Sequence, residues 1–430
     1  MSLRIAIAGL AGTYPFGGMF WHYLQYLLGL QRLGHDVLYI EDTGKWCYDP
    51  VAKTFVEDGS KNAAFLAREL AILDESLSDR WFFRDVTGKT YGRPWHDVVE
   101  FCRSADLLLH ISAGHWMREE NFTNAKVILI DTDPLYTQAG LLTGSPTEVA
   151  ARVAWWQEHH DVFFSFGENI GAADCQVPCE SFDWIPTRQP IVLDCFDRAT
   201  VPVTERRPVL TTVASWEPKE KGPVVNSVAY TGKSSEFERY MDLPSHSPLP
   251  LELALSGSAP VERLQESGWI VRDGYEVSHN PWVYRDYLAH SFGEWSIAKN
   301  AYVASQSGWF SCRTASYLAL GVPVILQDTG FSKTIPTGEG LLTFTTTAQA
   351  AAAIEQLKTN PQRHAKAARE IAQEYFDSDK VLTNLLEKAG NRESVGAGLE
   401  TRPYGSRGEL GELRELRELG EQFQPPATSH

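Results

Sequence analysis

No apolar run in the sequence approaches the ~20 residues that a bilayer-spanning helix requires, so no integral membrane contact is expected. The apolar opening, Met1 to Gly12, is short, interrupted by glycine and followed by Gly17-Gly18, which fits a first strand rather than a secretory leader. Positive charge is scarce: 39 Lys and Arg stand against 55 Asp and Glu, a formal net charge of −16. That balance argues against nucleic acid or an anionic membrane surface as the main partner, since either would want a basic face. The six cysteines (Cys47, Cys102, Cys175, Cys179, Cys195, Cys312) lack disulfide-scaffold spacing, and Cys175-x-x-x-Cys179 has no second ligand pair for zinc. Reduced thiols and a cytoplasmic location are therefore expected. A dinucleotide oxidoreductase is disfavoured too, because Gly9-x-x-Gly12 before Gly17-Gly18 is not G-x-G-x-x-G and Asp42 alone is poor evidence for a ribose contact.

What the chain does have is length and core-forming residues: 430 residues, 43% apolar, enough for two domains. Arg4 to Gly9 is a first strand, Met19 to Leu33 an apolar-faced helix, and Val37 to Ile40 a second strand. Leu107 to Ile111, Val127 to Asp131 and Val162 to Ser165 have the continuous apolar character of strands in a parallel sheet. Phe196 to Pro208, with two prolines and five charges, is the best linker; strands resume at Val209 to Trp216, Leu251 to Leu255 and Trp269 to Val271. The expected division is a Rossmann-like domain over 1–195, a second over 205–375, and a helix over 376–389 returning toward the first. In 391–430 the repeat GELGELRELRELGEQ places Leu every third residue, which drifts round a helix, so a disordered tail or a short partner-binding helix is expected.

Ser307 to Phe331, SGWFSCRTASYLALGVPVILQDTGF, has the pattern of a loop, a helix and a buried strand. Ser311 suits an N-cap, Cys312 to Leu320 follow at helical spacing, and Gly321 suits a left-handed stop. Unpaired N–H groups at the helix start, with Arg313 in the first turn, would suit a diphosphate. Val322 to Leu326 are strand-like, and Gln327, Asp328 and Thr329 emerge where ligands of open α/β sheets bind, so Asp328 and Gln327 can meet sugar hydroxyls. Any helix–Gly–strand unit of an α/β protein shares this pattern.

This stretch resembles the C-terminal domain of GT-B-fold glycosyltransferases, particularly the glycosyltransferase-1-like, spore-maturation-type branch, and the opening "GG, helix, Gly34-His35-Asp36-Val37, strand" resembles their N-terminal domain. The resemblance covers most of 1–389, with 45–100 and 222–300 matching only in strand–helix rhythm. It implies two Rossmann-like domains across a cleft and transfer of a sugar from a nucleotide-activated donor, UDP- or GDP-linked, to a small-molecule or glycan acceptor, with no cofactor and no metal. Two glutamates eight positions apart in many retaining members are replaced by Gly308 and Ser316. The GW…GVP interval, Gly308-Trp309 to Gly321-Val322-Pro323, is two residues longer than in the plant-type signature and lacks its Glu. The stereochemical outcome therefore does not carry over.

Catalytic groups are expected on the N-terminal domain, opposite the leaving group. His115, in LLLHISAGH, is the first choice for the base, because the resemblance places a His there and His110 can simply close the strand. Asp133 and then Asp131, in IDTDP, come next; their D-x-D also spells a metal motif of a different, single-domain fold. His22, wedged among aromatics, is as much a core residue as a ligand. The expected donor site gathers Gly18, Lys233, Glu294, Ser307, Trp309, Ser311, Arg313, Thr314, Asp328, Thr329, Gly330 and Phe331, with Lys233 preferred to Lys221 as second cation. Eight of the thirteen tryptophans precede residue 190, which suits an aromatic acceptor groove or a core. A sugar-nucleotide epimerase and a non-catalytic sugar- or nucleotide-binding protein are the alternatives.

Overall fold

In the computed structural model, which describes residues 2–116, 125–216 and 221–391, the apolar runs become two separate sheets. Residues 392–430, nearly all of the expected tail, lie outside the described residues. The chain opens with β1 (Arg4–Ala8), α1 (Gly17–Arg32), β2 (Asp36–Asp42), a hairpin of β3 (Cys47–Asp49) and β4 (Thr54–Val56), and α2 (Ser60–Leu73). It continues through β5 (Trp81–Arg84), β6 (Thr90–Gly92), α3 (Trp95–Arg103), β7 (Leu107–Ile111), β8 (Lys126–Asp131), α4 (Tyr136–Leu141), α5 (Pro146–His159), β9 (Val162–Ser165) and β10 (Trp184–Pro186). Eight of these strands form one sheet in the order β10-β9-β8-β7-β1-β2-β5-β6. Every neighbouring pair is parallel except β5–β6. Its central strands are buried throughout, because helices cover both faces.

After α6 (Asp194–Asp197) the chain enters β11 (Arg207–Trp216), the β12 (Lys221–Val225) and β13 (Val228–Thr231) hairpin, α7 (Lys233–Phe237), β14 (Leu251–Gly257), α8 (Val261–Glu266), β15 (Ile270–Asp273), α9 (Gly274–Ser278) and α10 (Pro281–Ala289). Then follow β16 (Ser291–Ser296), α11 (Asn300–Ala304), α12 (Cys312–Ala319), β17 (Val324–Gln327), β18 (Leu341–Phe344), α13 (Thr347–Thr359), α14 (Pro361–Tyr375) and α15 (Ser378–Gly390). The second sheet is wholly parallel, in the order β15-β14-β11-β16-β17-β18. The expected strand Val322–Leu326 starts two residues later. Val322 N–H donates to Tyr317 O (2.9 Å) and Gly321 N–H to Leu318 O (2.9 Å), closing α12, while Pro323 has no N–H to offer a ladder.

Strand order reverses at β1/β7 in the first sheet and at β11/β16 in the second, which makes those points the natural ligand crevices. The C-terminal strand ends of the two sheets face one another. Loops after β8 and β9 hydrogen-bond to the segment after β16, with Asn169 N–H donating to Ser307 O (3.1 Å) and Gln176 N–H to Ser305 O (2.8 Å). On the other flank α1 meets α10: Trp21 Nε1 donates to Pro281 O (2.8 Å). Gly17 permits this approach, since a Cβ there would lie 2.5 Å from Tyr284 Cβ and 2.6 Å from Asn280 O. Helix α15 packs back on α1, and Lys126 Nζ reaches Ala389 O (2.6 Å). With α10 and α15 over it, α1 is buried from Gly17 to Leu30, which is why its sequence is apolar nearly all round.

Candidate functional site

The end of β8 and the loop after it carry the two candidate aspartates, Asp131 and Asp133, and both have partners within the protein. Asp131 Oδ1 accepts from Asp133 N–H (3.0 Å) and Thr137 Oγ1 (2.7 Å), and its Oδ2 from Gln138 Nε2 (2.8 Å) and Ser165 Oγ (2.6 Å). Burial raises its pKa even against these donors. Four donors on two oxygens satisfy the carboxylate, and through them Asp131 shapes its loop. Leu135, held at φ 75, completes that turn with its N–H on Gln138 Oε1 (2.7 Å). Asp133 Oδ1 accepts from Tyr302 OH and lies 3.4 Å from Lys299 Nζ, both on the opposing sheet's side. Asp133 is thus one half of an ion pair between the two sheets. Lys299 also lies over the rings of Tyr136 (4.4 Å) and Tyr302 (5.7 Å).

His115 sits at the first sheet's switch point. Ser112 and Ala113, which lead to it from β7, adopt φ 57 and 48, left-handed values that only surrounding structure sustains in non-glycine residues. Ser112 Oγ contacts Tyr23 OH (3.1 Å) and Thr132 Oγ1 (2.7 Å), tying the loop to α1 and β8. His110 Nε2 accepts the His115 backbone N–H (3.2 Å), which places the His110 proton on Nδ1 facing His160 Nε2 (2.9 Å) and leaves His160 Nδ1 to donate to Trp156 O (3.2 Å). Burial pushes His110 down to about 3, consistent with a neutral strut. His22, pushed by burial to about 4 and bonded through Nδ1 to Gln189 Oε1 (2.6 Å), is likewise packed in the core beside Tyr23 and Phe166.

On the second sheet the expected diphosphate cation is spent. Arg313 is 3% exposed and donates through Nε to Glu294 Oε1 (2.7 Å), through Nη1 to Val213 O (2.8 Å) and through Nη2 to Ser296 Oγ (2.6 Å). Glu294 is fully buried. Arg313 and Glu294 clamp β11, β16 and α12 together beneath the strand ends. Asp328 accepts from Gly330 N–H (2.9 Å) and Ser332 Oγ (2.6 Å), so its carboxylate holds its own turn rather than offering itself to a sugar. Thr329 Oγ1 donates to Trp309 O (2.7 Å), Gly308 N–H to Thr329 O (2.8 Å), and Phe331 packs edge-on against Phe310.

Ser307 and Trp309 form the seam with the first sheet instead of an open loop. Trp309 Nε1 donates to Thr132 O (3.1 Å) and its ring stacks on Tyr302 at 4.4 Å. Gly308, at φ 78, is there because a Cβ would stand 2.5 Å from Asn169 N. Ser311 occupies the N-cap position of α12 without a side-chain cap, and Thr314 is fully buried one turn in. Lys233 opens α7, 8% exposed, beside Glu236, which accepts from Asn300 Nδ2 (2.8 Å) and Gln327 Nε2 (2.7 Å). Gly18 is buried at the start of α1. The Lys221 side chain lies outside those described.

Lys299 and Tyr302 escaped the sequence reading, although Lys299 follows directly on a buried strand at a switch point. Of the N-terminal tryptophans, Trp21, Trp81 and Trp184 are buried, and Trp46, Trp116 and Trp155 stand exposed. Among the described residues no group of three or more His, Cys, Asp or Glu is placed to hold a metal, and no helix is long and apolar enough to cross a membrane.

Residues 246–387 match a family model described as glycosyl transferase-like. No curated protein sequence matches the chain. Among solved structures, an alpha-glucosyltransferase in complex with UDP is 12% identical, covering 90% of this chain and 100% of that one at a TM-score of 0.53. Anabaena Alr3699/HepE in complex with UDP and glucose is 12% identical, covering 90% and 100% at 0.50. An alpha-glucosyltransferase in complex with UDP and a 13-mer DNA containing a HMU base is 12% identical, covering 91% and 100% at 0.51. These likenesses establish a shared two-domain fold. The last overturns the exclusion of nucleic acid drawn from the acidic balance: a net charge sums over the whole surface and does not forbid a local face that meets DNA.

Proposed function

We propose that the chain is a glycosyltransferase of the GT-B fold that moves a sugar from a UDP- or GDP-linked donor on the 205–375 side to a small-molecule or glycan acceptor held by the 1–195 side. The observation that carries this is the face-to-face placement of two switch points, β1/β7 against β11/β16. Each supplies the crevice in which open α/β sheets take a ligand. The diphosphate is assigned to the start of α12, Ser311 to Thr314, where first-turn N–H groups and the helix dipole favour anionic oxygens.

With Arg313 committed to Glu294, the neutralising charge falls to Lys233, and to Lys299 once the donor competes with Asp133. Thr329 to Phe331 line the sugar side. His115 is the proposed base, held against the acceptor hydroxyl by the His110–His160 strut, because the nucleophile must arrive from the wall opposite the leaving group. The spore-maturation-type branch belongs to the same proposal, supported by the Gly308-Trp309 to Pro323 stretch. So does a cytoplasmic location, supported by six cysteines that are all free thiols.

Calorimetric titration with UDP and with GDP tests the donor assignment. One of them should bind at micromolar concentration, and binding by neither overturns it. His115→Ala should then keep that affinity while lowering sugar transfer, followed as nucleotide release, by about 10²–10⁴.

A further inference from the structure

The β3–β4 hairpin presents an aromatic face that the fold does not need for its core. Tyr48 and Phe55 are register partners, so their side chains share a face, and Trp46 immediately precedes β3, two residues before Tyr48. Phe55 is 47% exposed, Trp46 51%, and Val51 at the hairpin tip 73%. The opposite face carries Cys47 and Asp49, both buried. The ring row continues off the hairpin: Tyr48 lies 5.3 Å from Phe55 and 5.5 Å from Phe16, and Tyr14 lies 6.4 Å from Phe55. Phe16 immediately precedes α1, so the row runs into the loop after β1, at the switch point beside the His115 loop. Leu10 of that loop is the side chain nearest a Cβ built at Gly114.

The platform is rigid. Tyr48 N–H donates to Thr13 O (2.9 Å), and Asn62 Nδ2 reaches both Gly12 O (2.8 Å) and Tyr48 O (3.0 Å), binding the hairpin to the β1–α1 loop. At its tip Lys53 Nζ meets Asp273 Oδ2 (3.2 Å) at the end of β15, so the hairpin stands across the mouth between the two sheets.

Resting on the reading of the 1–195 side as the acceptor side, we infer that the acceptor carries a planar aromatic or apolar body that lies on the Trp46–Tyr48–Phe55 face and passes its nucleophile inward past Phe16. The face has the chemistry for such a body: three rings and an exposed valine, with phenol hydroxyls as its polar groups, whereas a free glycan would want carboxylates and amides around the stacking ring. Lys53 at the tip is already paired, so the face does not present the cationic cluster that an anionic lipid surface recruits. Continuity with the switch point ties the face to the reaction site rather than to a remote partner.

The test uses two probes that differ only in the ring, 4-nitrophenyl β-glucoside and methyl β-glucoside, titrated by calorimetry into the full chain with and without UDP. The nitrophenyl compound should bind at least tenfold more tightly. The double variant Trp46→Ala/Phe55→Ala should bring the two within about threefold while its melting temperature and its UDP affinity stay those of the wild type, and Trp46→Phe should keep most of the preference. Equal binding of the two probes by the wild type overturns the inference, as does a preference that survives the double variant. Loss of self-association in the double variant would assign the face to a second copy, and loss of vesicle binding would assign it to a lipid surface; either overturns the inference. Absence of both UDP and GDP binding in the wild type is a failure of the glycosyltransferase reading, separate from these outcomes.

Discussion

Asp133→Asn separates the two roles that Asp133 can have. As a general base, its loss lowers turnover by about 10²–10⁴ and leaves stability alone. As half of a buried interdomain pair, its loss leaves the Lys299 ammonium, whose side chain is 3% exposed, without its carboxylate. Breaking a buried pair from one side costs about 3–5 kcal/mol. Here the Tyr136 and Tyr302 rings still face the ammonium and return about 1–2 kcal/mol, so a net cost of about 2–3 kcal/mol is expected. Unfolding entropy near 2.1 cal/mol/K per residue makes this about 3 °C for a chain of this length if the melt is one transition. The domains should also part more readily, since Asp133 faces the second sheet's side through Tyr302 and Lys299 together. Calorimetric melting and small-angle scattering, run beside Tyr302→Phe, read both effects. The expected pattern is a lowered melt and a larger radius of gyration in both variants, deeper in Asp133→Asn. A wild-type melt with turnover down a thousandfold in Asp133→Asn alone would refute the latch and restore Asp133 as the base.

Arg313→Ala should destabilise by about 3–5 kcal/mol in urea unfolding, because it strands the fully buried Glu294 carboxylate, and Arg313→Met combined with Glu294→Leu should recover more than half of that loss. Glu41 predicts a pH dependence: burial pushes it up to about 7 although Gly12 N–H (2.8 Å) and Tyr39 OH (2.9 Å) donate to it. The folded state then holds a proton that the unfolded chain releases near 4.5, so stability falls as pH rises from about 4.5 to 7, by on the order of 1–3 kcal/mol. Denaturant midpoints across that window should be flatter in Glu41→Gln, and an unchanged slope would sink the assignment. Gly17→Ala should cost about 1–3 kcal/mol by driving α1 off α10, measurable as a lowered melting temperature.

The sequence alone determined the layers. Leu107 to Ile111 or Val162 to Ser165, apolar without alternation, can be satisfied only between two covering layers, and the turn from Leu320 to Pro323 closes a helix wherever it is placed. These are local facts of period and backbone geometry, and they carried the α/β architecture with its second strand–helix series. The duties of charged groups at strand ends were not local. Asp133 finds Tyr302 at a separation of 169 residues, Arg313 finds Val213 at 100, and Trp309 finds Thr132 at 177. From sequence, an Arg in the first turn of α12 is as fit for a diphosphate as for a buried glutamate. Only packing, by stripping water from Glu294 and setting three acceptors within 2.8 Å of one guanidinium, decided that the charge is spent inside the protein.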